Sequence, residues 1–148
     1  MNTIQEPNII FGTGNLLHFP GPIAHCVSSD FQMGAGIAQQ IREAYPTLQP
    51  TLKSIETPQV GASVSMSIPS QNKSIFNLVT KSQYFKKPSY YDFTRSLRCM
   101  RKQLIEQGIK QIAIPKICCG LDKLRENSVF NIIYDIFRKG DIKVFVYV

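Results

Sequence analysis

A chain of 148 residues, 43% hydrophobic and 18% charged, has the size and composition of one globular domain with a real core. No apolar run is long enough to span a bilayer, and the first residues show no basic stretch followed by an apolar core, so a cytoplasmic or nuclear protein is expected. The net charge of +7 is lopsided: residues 1–80 hold three basic residues against four acidic ones, and residues 81–148 hold fourteen against six. A basic second half favours phosphate-bearing partners, from a nucleotide to a nucleic acid.

"NIIFGTG" (Asn8–Gly14) reads as a strand that ends in glycines. "PIAHCVS" (Pro22–Ser28) is a short apolar run between turn formers, so a buried strand is expected. After the loop "SDFQMGAG", Ile37, Ile41, Ala44 and Tyr45 recur at helical spacing, and Pro46 stops that helix. "SVSMSIP" alternates Val64, Met66 and Ile68 with Ser63, Ser65 and Ser67, which predicts an antiparallel strand with one wet face. "SIFNLVTK" (Ser74–Lys81) is a further apolar strand.

Ser89, with Asp92 three residues on, reads as a capping box. Phe93, Leu97, Met100 and Leu104 then form one apolar stripe, and Gly108 closes the helix. Its other faces carry Arg95, Arg98, Arg101 and Lys102, as a solvated face would. "KQIAIPKI" is a strand. Val129, Ile132, Ile133, Ile136 and Phe137 make a third helix ended by Gly140. "IKVFVYV" is unbroken and apolar, so it reads as a central strand buried on both faces. The alternation predicts an α/β domain with a mixed, mostly parallel sheet and helices on both sides.

The four cysteines include no C-x-x-C pair, so reduced, buried thiols are expected and no metal site is visible. His25, mid-strand, reads as a satisfied core histidine.

In such folds ligands bind at loops beyond the carboxyl ends of strands. Two loops qualify by composition, "SSDFQMGAG" and "PKICCGLDK". A dinucleotide fingerprint fails, because Gly34-x-Gly36 is followed by Gln39 where the third glycine belongs. No G-x-x-x-x-G-K-[ST] loop is present. Glycines opening a helix still suit a diphosphate, since bare N–H groups and the helix dipole both face the anion.

"AHCVSSDFQMGAGIA" (Ala24–Ala38), "LVTK" (Leu78–Lys81), "KPSY" (Lys87–Tyr90) and "IPKICCGLDKL" (Ile114–Leu124) together resemble the macro-domain family. Within it they are most similar to the terminal ADP-ribose protein glycohydrolase branch. The match in order and spacing runs from about Ile9 to Val148, and each block alone is weak. The resemblance implies a single three-layer α/β/α macro domain over residues 1–148, with ADP-ribose in a cleft and no cofactor.

By that resemblance Gly34, Ala35, Gly36, Ile37 and Ala38 form the loop under the diphosphate and distal ribose. Pro115, Lys116, Ile117, Cys118, Cys119, Gly120 and Leu121 form a second loop closing over them. Asn15 and Leu16 match the adenine-side turn, where the family's common residue is aspartate. Asparagine still accepts a hydrogen bond there, but the charge-assisted contribution is lost. Ser28 matches a substrate-contacting serine, and Val148 joins the binding set. Lys81 and Asp122 match the branch's catalytic pair.

The implied activity is hydrolysis of ADP-ribose from mono-ADP-ribosylated glutamate or aspartate. Lys81 would be the nucleophile and Asp122 would move protons. The rivals are a non-catalytic ADP-ribose reader and a hydrolase of ADP-ribose-1''-phosphate or O-acyl-ADP-ribose. A further expectation is nucleic-acid association through Lys86, Lys87, Arg95, Arg98, Arg101 and Lys102. The partners expected are ADP-ribose and mono-ADP-ribosylated proteins, with no membrane, and the chain is expected to be a monomer.

Overall fold

Apolar runs rich in β-branched residues become strands, and amphipathic runs at helical spacing between them become helices. The computed structural model of the chain describes residues 8–55, 59–119 and 123–148. Its strands are β1 (Ile9–Gly12), β2 (Ile23–Ser28), β3 (Ser63–Ile68), β4 (Lys73–Lys81), β5 (Gln111–Ile114) and β6 (Lys143–Tyr147). They form one sheet in the order β1-β6-β5-β2-β4-β3. Only β3 runs antiparallel to its neighbour, and every other pairing is parallel. The mixed, mostly parallel sheet is the one the alternation predicts.

Among the described residues, four α-helices cover the sheet: α1 (Gly36–Ala44), α2 (Leu48–Lys53), α3 (Tyr90–Glu106) and α4 (Glu126–Phe137). Strand β4 shows how the layers divide. Successive side chains leave a strand on opposite faces. Phe76 and Leu78 pack with Phe93, Leu97 and Met100 of α3 and with Val129 and Ile133 of α4. Ile75 and Val79 pack on the other face with Ile41 of α1 and Leu48 and Leu52 of α2. Three layers result, as the fold class requires.

Details differ from the sequence expectation in three places. Helix α1 does end at Ala44, with Tyr45 as its C-cap, but the chain re-enters a helix at Leu48. Pro50 is tolerated there because first-turn N–H groups have no intrahelical acceptor. The serine face of β3 is not wet, because α3 lies across it. Gln103 Nε2 donates to the Ser63 carbonyl at 2.8 Å, Gln107 Nε2 donates to Ser65 Oγ at 3.3 Å, and only Ser67 of the three serines is exposed. Strand β6 is internal, but only Val144 and Val146 are fully buried. Its Phe145 and Tyr147 lean on the Phe19 ring at centroid distances of 5.2 and 6.1 Å.

The start of α3 follows the capping-box reading. Ser89 Oγ accepts from the Asp92 amide at 3.0 Å and donates to its carboxylate at 2.9 Å. Gly108, with φ of +68°, takes the left-handed conformation that ends a helix.

The expectation of reduced thiols is corrected at two positions. Cys26 and Cys118 are disulfide-bonded across 92 residues, and Cys99 and Cys119 are free. Linear spacing hides this pair. β2 and β5 are sheet neighbours, so the carboxyl end of β2 and the turn after β5 meet in space.

His25 is a core histidine, as its place in the strand suggests, but only half satisfied, because its Nδ1 is buried with no hydrogen-bond partner among the described residues. It is fully buried, and its Nε2 lies 2.6 Å from Asn77 Oδ1 on the adjacent strand. Burial holds its pKa down to about 4 against the Asn77 bond, which raises it. The unfolded chain therefore binds more protons than the native one between about pH 6.5 and 4. His25 thus favours folding fully above pH 6.5, and that contribution is lost as pH falls through 4. From pH 7 to 4.5 the loss is expected to be about 2.5 kcal/mol. Urea unfolding across that window reads it directly. His25→Gln is expected to flatten the slope, and an unchanged slope would assign the pH dependence to carboxylates instead.

Candidate active site

The carboxyl ends of β2, β4 and β5 open into a cleft of about 880 Å³. Its first wall is the segment after β2. Ser28 Oγ donates to Asp30 Oδ1, and the Asp30 Oδ2 accepts from the Tyr84 amide at 3.0 Å. The Ser29 amide donates to the Lys81 carbonyl at 2.9 Å. One carboxylate thus ties the loop after β2 to the loop after β4. From the other side, Gln49 Nε2 of α2 donates to the carbonyls of Phe31 and Gln32 at 2.8 and 2.9 Å. Phe31 and Met33 both hold φ of +50°, with side chains buried in the core. A path so unfavourable for non-glycine residues is held by these anchors.

Gln32, Met33, Gly34, Ala35, Gly36, Ile37 and Ala38 line the cleft. Gly36 has φ of +60° and opens α1. The cap residue Ala35 has no side chain that can accept from the first turn, and that turn carries no acid. First-turn N–H groups need a partner, and the helix dipole makes that end positive. An anion in the cleft satisfies both demands. A Cβ built on Gly34 would meet no atom within 4 Å, so the space above it is open.

The second wall is Pro115, Lys116, Ile117, Cys118 and Cys119, after β5. Cys118 has φ of +61° in a turn closed by the Cys119 amide on the Lys116 carbonyl at 3.2 Å and by the Leu124 amide on the Cys118 carbonyl at 2.9 Å. Lys116 Nζ pairs with Glu126 at 3.2 Å on an exposed edge of the cleft. The Cys119 thiol donates to the Ile117 carbonyl at 3.2 Å, and burial, then Glu126, pushes its pKa up. It is a protonated thiol rather than a nucleophile.

Lys81 closes the floor between the walls, half-buried at the end of β4. It pairs with Ser28 in register just past a bulge in β2. The bulge turns the β2 terminus, and both side chains line the cleft. Tyr84 lines the outer rim, edge-on to the Phe85 ring at 5.4 Å.

Of the residues singled out from sequence, the cleft gathers Ser28, Gly34 to Ala38, Lys81 and Pro115 to Cys119. Asn15, Leu16 and Val148 do not line it. Asn15 Oδ1 accepts from the Leu17 amide at 3.0 Å and caps a short 3-10 helix, Leu16–His18. Leu16 is a core side chain. Val148 is half-exposed, and its amide pairs with Gly12 at 2.9 Å, extending the edge with β1. Gly120, Leu121 and Asp122 lie outside the described residues. Sequence reasoning missed Cys26, Val27, Gln32, Met33, Tyr84 and Glu126. Gln32 and Met33 sit inside the glycine loop, and Val27 is simply the residue before Ser28. Glu126 had no signal. Among the described residues, no group of three His, Cys, Asp or Glu side chains is placed to hold a metal.

A family model for the macro domain matches residues 24–133. The chain is similar to human ADP-ribose glycohydrolase OARD1, at 31% identity over 97% of this chain and 93% of that one. Among solved structures, it superposes on the macrodomain of Mycobacterium tuberculosis DarG with a TM-score of 0.88 at 21% identity, covering 94% and 96% of the two chains. It also superposes on Thermosipho africanus DarTG in complex with ADP-ribose, with a TM-score of 0.87 at 18% identity, covering 95% of this chain and 41% of that one. At those identities the structural likeness is one of fold.

Proposed function

Because the chain belongs to the macro-domain family, we propose that it binds ADP-ribose in this cleft and hydrolyses it from mono-ADP-ribosylated glutamate or aspartate side chains. One observation carries the reading: a helix start with neither cap nor acid faces a positioned lysine across an open cleft. The diphosphate lies against the Gly34–Gly36 backbone. The distal ribose then points toward Ser28 and Lys81. The Lys81 amine attacks the anomeric carbon, and the C–O bond to the acyl group breaks as the carboxylate leaves with the bonding pair. Asp122 takes the proton from the new C–N linkage and later assists water in releasing ADP-ribose. Lys116 lines the same cleft and can leave Glu126 for the diphosphate, since an exposed pair of this kind is worth little.

The test is incubation with glutamate-linked, serine-linked and phosphate-linked ADP-ribose, comparing wild type with Lys81→Ala and Asp122→Ala. Release from the glutamate linkage alone, lost in both variants, is the expected result. Asp122→Ala is expected to cost about 10²–10⁴-fold, the range for a proton-transfer group. Binding without release from any linkage would make the protein a reader.

A second reading concerns the acceptor. Tyr84, Phe85 and Tyr91 are exposed beside Lys86, Lys87 and Arg95, with Tyr84 on the cleft rim. Aromatic faces interleaved with cations suit a single-stranded nucleic acid. Salt-sensitive binding of a short oligonucleotide, weakened by Tyr84→Ala, supports it. No binding at low salt removes it.

A further inference from the structure

A disulfide ties the turn that forms the second wall to β2, and the proposed hydrolysis does not use it. Cys26 lies near the carboxyl end of β2, and Cys118 sits in the turn after β5. Their Cα atoms are 6.4 Å apart, within the span a disulfide bridges. Both residues line the cleft. Cys118 is almost fully buried at 6% exposure, whereas Cys26 is partly open. Cys118 also holds φ of +61°, a strained conformation for a non-glycine residue, in a turn that two backbone hydrogen bonds close. Its neighbour Cys119 is engaged with the Ile117 carbonyl and is not the partner.

We propose that Cys26 and Cys118 form a reversible oxidation site whose disulfide holds the Pro115–Cys119 turn in the shape that walls the cleft. The oxidant is a low-molecular-weight disulfide such as oxidised glutathione, admitted through the cleft to Cys26. The Cys26 thiolate attacks it, forming a mixed disulfide and releasing one glutathione thiolate. The Cys118 thiolate then displaces the second. Two protein thiols lose two protons and two electrons, and one glutathione disulfide becomes two thiols. Reduced glutathione reverses both steps. In the reduced protein only the two backbone hydrogen bonds of the turn hold Cys118 in the left-handed region, so the turn samples other shapes and ligand binding has to restore this one. The oxidised form therefore binds ADP-ribose about tenfold more tightly.

The affinity arm rests on the ADP-ribose reading, and a second arm does not. The full chain is equilibrated in oxidised or reduced glutathione, digested without reduction and mapped by mass. Amide exchange of the peptide covering the turn, and the Kd for ADP-ribose, are read in each state. A Cys26–Cys118 peptide in the oxidised sample, slower exchange of the turn and the tighter Kd are expected together. Cys26→Ser and Cys118→Ala should each show the reduced behaviour in both buffers. Absence of the linked peptide, equal exchange in the two states, or a redox response that survives both substitutions overturns the proposal. If neither state binds ADP-ribose while exchange still differs, the ligand reading fails and the oxidation site stands.

Discussion

Lys81→Ala is expected to lower release of ADP-ribose from a glutamate linkage by roughly 10³-fold or more, the scale of losing a nucleophile. The Kd for free ADP-ribose should change by less than about threefold, because the residue is proposed to meet the anomeric centre and not the diphosphate. Geometry supports this division. Lys81 sits at the end of a buried strand, its carbonyl held by the Ser29 amide and its side chain beside Ser28 in the cleft floor. The diphosphate is assigned to the backbone of α1, one wall away. Lys81→Arg separates chemistry from charge. Arginine keeps the cation but cannot act as an amine nucleophile, since it does not deprotonate in proteins. Equal loss in both variants supports covalent catalysis. Retained activity in the arginine variant would make Lys81 an electrostatic residue, and full activity in the alanine variant would sink the mechanism. Single-turnover rates with ADP-ribosyl-glutamate, set beside calorimetric Kd values, give both quantities.

The fold was legible wherever one element buries one face. The stripe Phe93, Leu97, Met100, Leu104 appears in the sequence at helical spacing and in the structure as four fully buried side chains. The antiparallel edge was legible for the same reason, through the alternation in β3. What covers a face was not legible. Helix α3 crosses the serine side of β3 and turns a face expected to be wet into an interface through Gln103 and Gln107. Helix α2 was missed because Pro46 and Pro50 dominate a short local signal, whereas burial of Leu48 and Leu52 decides the outcome. At the site, the glycine loop stood out because its composition departs from ordinary usage. Asp30 did not. Its work is tertiary, joining Ser28 to the Tyr84 amide 54 residues away, and no spacing rule anticipates that. The Cys26–Cys118 pair was hidden likewise, since sheet order and not chain order brings the two together.

Gly34→Leu separates the two reasons a glycine can stand in the α1 loop. Gly36 requires glycine for conformation, since φ of +60° strains any other residue. Gly34 does not share that constraint. It has no positive φ, and a Cβ there enters open space. The folded state should therefore accept leucine at position 34 with a change in stability of under about 1 kcal/mol, read by urea unfolding. The same side chain would occupy the volume above the backbone where the diphosphate is proposed to lie. ADP-ribose binding should weaken by roughly 100-fold or more, equivalent to about 2.8 kcal/mol. Gly36→Val should lose both stability and binding. A Gly34→Leu protein that folds and binds ADP-ribose normally would remove the diphosphate from this loop. The anion-facing reading of the α1 start would fall with it, whatever the fate of Lys81.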